Sequence, residues 1–335
     1  MTTSKFRLWI WATAIVFTAC SAETTHRVAQ VMGVDQSQQS QDQLDSQNSG
    51  APPAWLNELN RLRETGGLKP VGENAELSRD CHAHAQYLIE QAPADAAQFK
   101  VYKDGLQVNP EDPQSKYFSA AGAECASGGK PMPGVRWGSG FSFGRDPVDD
   151  LDRLCYDDPF SRIGLLASWA TVAGYGTYGD FPRRVGTLAQ RGKFSGVGSP
   201  LIRFPTDGSM VSVGEVRNFI ETPDPLAACA GYKLPVGLPI TLQLGSGYRG
   251  TMISYSVLGP AGAVETCGFD WTSYRNPDPK VQERIRKLLV RDGASVLIPR
   301  HPLANGRYTV AVATGRQKFE WSFNVATQSS SVATK

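Results

Sequence analysis

A chain of 335 residues, 41% hydrophobic and 20% charged, is long enough for more than one core. Its formal charge of only +2, with no basic run interleaved with aromatics, gives no electrostatic footprint for DNA or RNA and excludes that class of partner. Beyond the leader no run of about eighteen apolar residues occurs, so nothing later in the chain reads as a membrane-spanning helix.

Lys5 and Arg7 form a small basic start, and Leu8 to Ala19 form an apolar run of twelve. This is the layout of an export signal, too short to cross a bilayer. The run ends in Phe17-Thr18-Ala19-Cys20, which resembles the lipobox of bacterial lipoproteins, with Phe17 in place of the usual Leu. That resemblance implies acylation of Cys20 after cleavage, and Ser21 behind it implies an outer-membrane destination where the source has two membranes. The alternative is a plain signal peptide cleaved nearby. Residues 1–20 are therefore expected to be a leader. Residues 21–51 are expected to be a disordered tether, because Gln36 to Gly50 is almost wholly Gln, Ser, Asp and Asn. The localisation that follows is export, as an outer-membrane or cell-surface lipoprotein, otherwise periplasmic or secreted.

Five further cysteines, Cys81, Cys125, Cys155, Cys229 and Cys267, form no CxxC pair, which argues against zinc or thioredoxin chemistry. Cys229 and Cys267 are the only two in the C-terminal segment and are expected to pair, a closure contributing up to about 4 kcal/mol in the chain-entropy model. Among Cys81, Cys125 and Cys155 the spacing selects no pair.

A first folded domain is expected over 52–219. Trp55, Leu56, Leu59 and Leu62 follow Pro52-Pro53 at helical spacing, and Gly66-Gly67 ends that helix. Asn74 reads as the N-cap of a second helix, with Leu77, Cys81, His84, Ala85 and Leu88 on one face and Glu76, Arg79, Asp80, Gln86 and Glu90 on the other. His84 then points inward and His82 does not. Cys81 on that face is expected to be an inert buried thiol. Gly138-Ser139-Gly140-Phe141-Ser142 fails the Gly-x-Ser-x-Gly pattern and reads as a loop beside Trp137. Asp146 and Pro147 open a further helix. The acids Asp149, Asp150, Asp152, Asp157 and Asp158 lack calcium-loop order and read as a charged helix face with caps.

Leu59-Asn60-Arg61-Leu62-Arg63, Gly67-Leu68-Lys69-Pro70-Val71, Asn74-Ala75-Glu76-Leu77 and Cys81-His82-Ala83-His84-Ala85 together resemble the opening of the CAP superfamily, the cysteine-rich secretory, antigen 5 and pathogenesis-related proteins. A second stretch, Asp158-Pro159-Phe160-Ser161-Arg162-Ile163-Gly164-Leu165-Leu166 followed by Gly174-Tyr175-Gly176, resembles a later motif of the bacterial members. The resemblance implies an α-β-α sandwich with a cleft where two histidines and two acids hold a divalent metal. His84 matches the first histidine. Ser161 stands where the motif has its second, just before Arg162, and Glu124 in Gly122-Ala123-Glu124-Cys125 is a loose match to the family's acid. His84, Glu124, Ser161 and Arg162 are thus the cleft candidates. Of four histidines, His26 precedes the folded region, His301 lies in the other half, and His82 and His84 are about 200° apart on a helix. Zinc needs three or four converging donors, so no metal site, catalytic residue or cofactor is assigned.

At Thr222-Pro223-Asp224-Pro225 the composition turns to Val, Ile, Thr, Tyr and Gly, and 223–325 is expected to be an all-β domain before a disordered tail, 326–335. Strands are predicted at 239–244, 251–258, 294–298, 307–313 and 319–325, with turns at 304–306 and 314–316 and a helix at 280–290. This part resembles the immunoglobulin-like sandwich attached to some exported CAP proteins. The fold class expected is α+β. The leading functional expectation is a non-catalytic envelope module that binds a lipid, glycan or protein and meets the membrane only through its N-terminal lipid. The alternatives are a peptidase or cell-wall hydrolase using His84 with Glu124, and a spacer without any ligand.

Overall fold

The computed structural model describes residues 51–91, 111–127, 135–142, 144–193, 200–219, 223–245 and 248–327. The leader with Cys20, the tether up to residue 50, His26 and the tail from residue 328 lie outside the described residues.

Helix α1 (Ala54–Thr65) buries Trp55, Leu56, Leu59 and Leu62, as their spacing predicts. It stops at Gly66-Gly67, where Gly67 takes φ +69°, a left-handed conformation that a side chain resists. Asn60 ties the following turn back to the helix, accepting from Val71 N at 2.8 Å and donating to Val71 O at 3.1 Å. Strand β1 (Gly72–Glu73) leads into Asn74, whose Oδ1 accepts from Leu77 N at 2.8 Å and starts α2 (Ala75–Gln91). Leu77, Cys81, His84, Ala85 and Leu88 are buried along one face of α2, while His82 is exposed.

Next come α3 (Ala120–Ala126), β2 (Val135–Ser142), α4 (Pro147–Tyr156), α5 (Pro159–Leu165), β3 (Ala170–Tyr178) and β4 (Val185–Gly192). The first four strands form one sheet in the order β1-β3-β4-β2, in which only β1 and β3 run parallel. The expected loop at 138–142 is therefore strand: β2 pairs with β4 from Val135 to Ser142, and Gly138 and Ser139 fall at a register shift between Trp137 and Gly140. Asp146 caps α4 by accepting from Val148 N and Asp149 N, both at 2.9 Å.

Helix α2 lies on one face of this sheet at close range. A Cβ on Gly174 would sit 2.5 Å from the Leu77 carbonyl carbon, and one on Gly176 would sit 2.0 Å from His82 N, so the Gly-x-Gly pair is where the strand admits the helix. Helices α1 and α4 cover the other face. Trp55 stacks on Tyr175 with ring centroids 5.7 Å apart, and Leu59, Leu151 and Leu154 join Ala173 and Leu188 in one cluster. The arrangement is helix, sheet, helix.

The remaining elements are β5 (Ile202–Phe204), β6 (Met210–Val211), β7 (Glu215–Val216), β8 (Val236–Gly237), β9 (Ile240–Gln243), β10 (Met252–Gly259), β11 (Gly262–Ala263), β12 (Thr266–Asp270), α6 (Pro279–Asp292), β13 (Ala294–Pro299), β14 (Gly306–Thr314) and β15 (Lys318–Val325). All five strands expected in this half are present, together with its helix. Two sheets, β12-β13-β9-β5 and β11-β10-β14-β15-β6, carry most of them. In the β14–β15 hairpin Tyr308 faces Phe323 and Val310 faces Trp321 across the pair, and these side chains share a cluster with Leu242, Leu297 and Phe204 of the four-stranded sheet. The other face of that sheet is covered by Ile285 and Leu289 of α6 and by Phe160 and Ile163 of α5, packed on Val296, Ile298 and Phe269. Burial on both faces explains why 294–298 reads as an almost unbroken apolar run.

The mixture of helices and antiparallel sheets makes the fold α+β. The partition at 219/223 does not follow the packing: β5 pairs with β9 and β6 with β15, so strands from the expected first domain complete sheets of the second. Polar ties cross the same line, Gln243 Nε2 donating to Ile163 O at 3.2 Å and Trp169 Nε1 to Asp292 Oδ1 at 3.0 Å. A disulfide joins Cys229 to Cys267, the expected pair. Another joins Cys81 to Cys125, so Cys81 is not a free thiol; Cys155 is the free cysteine among the described residues, and burial pushes its thiol up to about 12.

Candidate functional site

His84 stands three residues after Cys81 on the buried face of α2. The Cys81–Cys125 disulfide brings α3 against that helix, and the residues leading into α3 close over the imidazole. His84 Nδ1 lies 2.8 Å from Glu111 Oε1, and both side chains are 0% exposed. A carboxylate only accepts, so this contact calls for a proton on Nδ1. Among the described residues Nε2 has no partner. Glu111 also accepts from Ser119 N at 3.2 Å, and Gly122 is where its carboxylate crosses α3, since a Cβ there would sit 2.2 Å from Oε1. Tyr87 stacks beside the imidazole, 6.2 Å between centroids and 13° from parallel, and its hydroxyl accepts from Asp112 N at 3.0 Å. One turn of α2 thus holds Glu111 through His84 and Asp112 through Tyr87.

The other candidates do not join this pair. Glu124 Oε2 is buried without a hydrogen bond among the described residues, and the side chain does not bond His84. Ser161 donates to Asp158 Oδ2 at 3.0 Å inside the cap of α5, where Asp158 also accepts from Phe160 N at 2.8 Å. Arg162 is fully buried and donates to the carbonyls of Cys155, Tyr156 and Pro239, with its guanidinium 3.9 Å over the Phe204 ring. Burial pulls its pKa down to about 10, which leaves it charged at neutral pH. Arg63, from the first motif, does a similar job: 1% exposed and likewise lowered to about 10 by burial, it donates to Leu165 O, Ala167 O and Lys69 O at 3.0–3.2 Å. The signature arginines therefore cap carbonyls at the ends of α4 and α5.

Among the described residues no group of three or more His, Cys, Asp or Glu side chains could hold a metal ion, whereas zinc takes three or four donors. What the pair can do is bolt the 111–127 segment to α2. A carboxylate-oriented imidazole is also the geometry of a general base, but here both groups are shut away from solvent.

A larger polar cluster lies on the opposite face of the same sheet. Asp150, placed by its spacing on a charged helix face, is instead 0% exposed and meets Arg184 Nη1 at 2.7 Å, the Tyr175 hydroxyl and Gly144 N. Burial pushes the Asp150 carboxyl up against the pull of Arg184, and pushes the Tyr175 phenol well above its ordinary range. Gly186 is required beside it, since a Cβ there would sit 2.1 Å from Asp150 Oδ2. At the α1–α4 surface Arg61 bridges Glu58 and Asp152, and burial together with Glu58 pushes Asp152 up to about 6.

No local sequence signal marks Glu111, because it follows a stretch without periodic pattern and its partner is 27 positions away. The chain matches no family model and no curated protein. Among solved structures, the selenomethionine form of PcoC, a copper resistance protein from Escherichia coli, is 15% identical to it, with 37% of this chain and 95% of that chain covered and a TM-score of 0.20, too low to carry any argument.

Proposed function

We propose that the chain is an exported, lipid-anchored cell-envelope protein in which a CAP-like half serves as a non-catalytic scaffold and the molecule as a whole binds a surface ligand. The observation that carries this reading is the burial of His84 and Glu111 against each other, which turns the one matching cleft histidine into a structural bolt. The helix-sheet-helix layering and the close approach at Gly174 and Gly176 support the CAP-like assignment. Two disulfides fit folding outside the reducing cytoplasm, and no helix of the described residues is long and apolar enough to cross a membrane.

Isothermal titration with zinc tests the scaffold reading. Heat without tight stoichiometric binding is expected, and tight binding abolished by His84→Ala overturns it. Metabolic labelling with an alkyne fatty acid tests the anchor: incorporation lost in Cys20→Ser supports it, and an unlabelled wild type refutes it. The second reading, an envelope hydrolase, draws on the Glu111-oriented imidazole with its unpartnered Nε2. Turnover of a peptide or cell-wall library that disappears in His84→Ala would promote it.

A further inference from the structure

Cations outnumber their acidic partners around the first half of α6. Arg249, Trp271, Gln282, Glu283, Arg286 and Lys287 line a cavity of about 720 Å³ between α6 and the turn after β12. Arg286 is held in place there: Nε and Nη2 donate to Tyr274 O at 3.1 and 2.9 Å, and Nη2 to Thr272 O at 3.3 Å. Its Nη1 has no hydrogen-bond partner among the described residues. Arg275 Nη1 donates to the same two carbonyls, so two guanidiniums converge on one turn. The acids nearby do not neutralise them. Asp270 is saturated by Met252 N, Thr272 and Ser273, and Glu283 pairs with Lys287 at 2.6 Å. Arg249 forms no hydrogen bond or ion pair among the described residues, and it also lines a second cavity of about 420 Å³ beside Tyr248 and Arg316.

A guanidinium fixed by carbonyls and lacking a counter-ion is preorganised for an oxyanion such as a carboxylate or sulfate. Trp271 adds a flat apolar wall of the kind a sugar ring packs on, and Gln282 adds an amide for hydroxyls. None of the large exposed apolar side chains, Met210, Ile253 and Leu258 among them, lines this cavity, as a membrane-inserting surface would need. We propose that the groove binds an acidic polysaccharide, seating its anionic groups on Arg286 and Arg249 and a sugar ring against Trp271. The inference rests on the reading of the chain as a binding module and names its ligand class.

Titration calorimetry of the full mature chain tests it, with polygalacturonate and dextran sulfate as acidic probes and dextran as the neutral one. Both acidic probes are expected to bind and dextran is not. Arg249→Gln and Trp271→Ala should each weaken binding about tenfold with an unchanged circular dichroism spectrum, and Lys318→Gln on β15 should have no effect. The proposal is overturned if neither acidic probe binds, or if both groove variants bind as the wild type does. It is also overturned if poly-L-glutamate or phosphatidylglycerol vesicles bind as tightly with the same sensitivity to Arg249→Gln, since charge alone would then suffice. Cleavage of a bound probe would sink the non-catalytic reading and leave this one standing, whereas absent binding would leave the His84 results untouched.

Discussion

Replacing Asp150 by Ala strips a fully buried carboxylate from three partners at once. Among the described residues Arg184, 2% exposed, keeps only Gly144 O at 2.9 Å and the Tyr175 hydroxyl at 2.8 Å, neither of which carries charge. Leaving one member of a buried ion pair uncompensated costs about 3–5 kcal/mol. At roughly 2–4 °C per kcal/mol this lowers the melting temperature by about 6–20 °C. Replacing both partners with apolar side chains, Asp150→Leu with Arg184→Met, removes the stranded charge, and the double variant should recover most of the loss. Urea unfolding at neutral pH reads both, with the midpoint moving and the slope unchanged. A loss below about 1 kcal/mol for Asp150→Ala, or a double variant no more stable than the single one, would refute the view that this pair is a buried clamp.

Gly176→Ala drives a methyl into the α2 backbone at His82 N, 2.0 Å away, and should destabilise by more than about 2 kcal/mol in the same assay. Cys125→Ser opens a closure of 44 residues and should cost up to about 4 kcal/mol; in the wild type, mass spectrometry after alkylation without reductant should find Cys155 modified only once the chain is unfolded. Asp152 and Asp157 are both pushed up to about 6, chiefly by burial, so in the fold they hold protons at pH values where the unfolded chain has released them. That contribution to stability is complete below the ordinary carboxylate value and disappears as the pH rises through about 6. Asp152→Asn should therefore match the wild type near about pH 4 and exceed it near about pH 8, by about 1 kcal/mol or less because Asp152 is 43% exposed; a gain confined to acid would contradict this.

What the sequence reveals and what it hides separate by range. The inward face of α2, the caps at Asn74, Asp146 and Asp158, and the alternation of the β14–β15 hairpin are local patterns, and each is legible from neighbours a few positions apart. Asp150 follows the same helical periodicity and still misleads, because the group that buries it, Arg184, comes from a strand 34 positions later. The pairing of β5 with β9 and the choice of Cys125 for Cys81 are also long-range outcomes, which no periodicity encodes. At the candidate site the histidine was legible from its place on the helix. Its carboxylate was not, since a lone Glu111 after Pro110 carries no signal until the chain folds it onto α2.

Diethyl pyrocarbonate labelling of the folded protein, read by peptide mass spectrometry, bears most directly on whether His84 is a closed bolt or a reacting group. Exposed His82 and His301 should be modified promptly, while His84, whose Nε2 has no hydrogen-bond partner among the described residues but is buried, should stay unlabelled until denaturant opens the fold. Labelling of His84 at the rate of His82 in the folded state would mean that solvent and substrates reach the imidazole, and the scaffold account would fail.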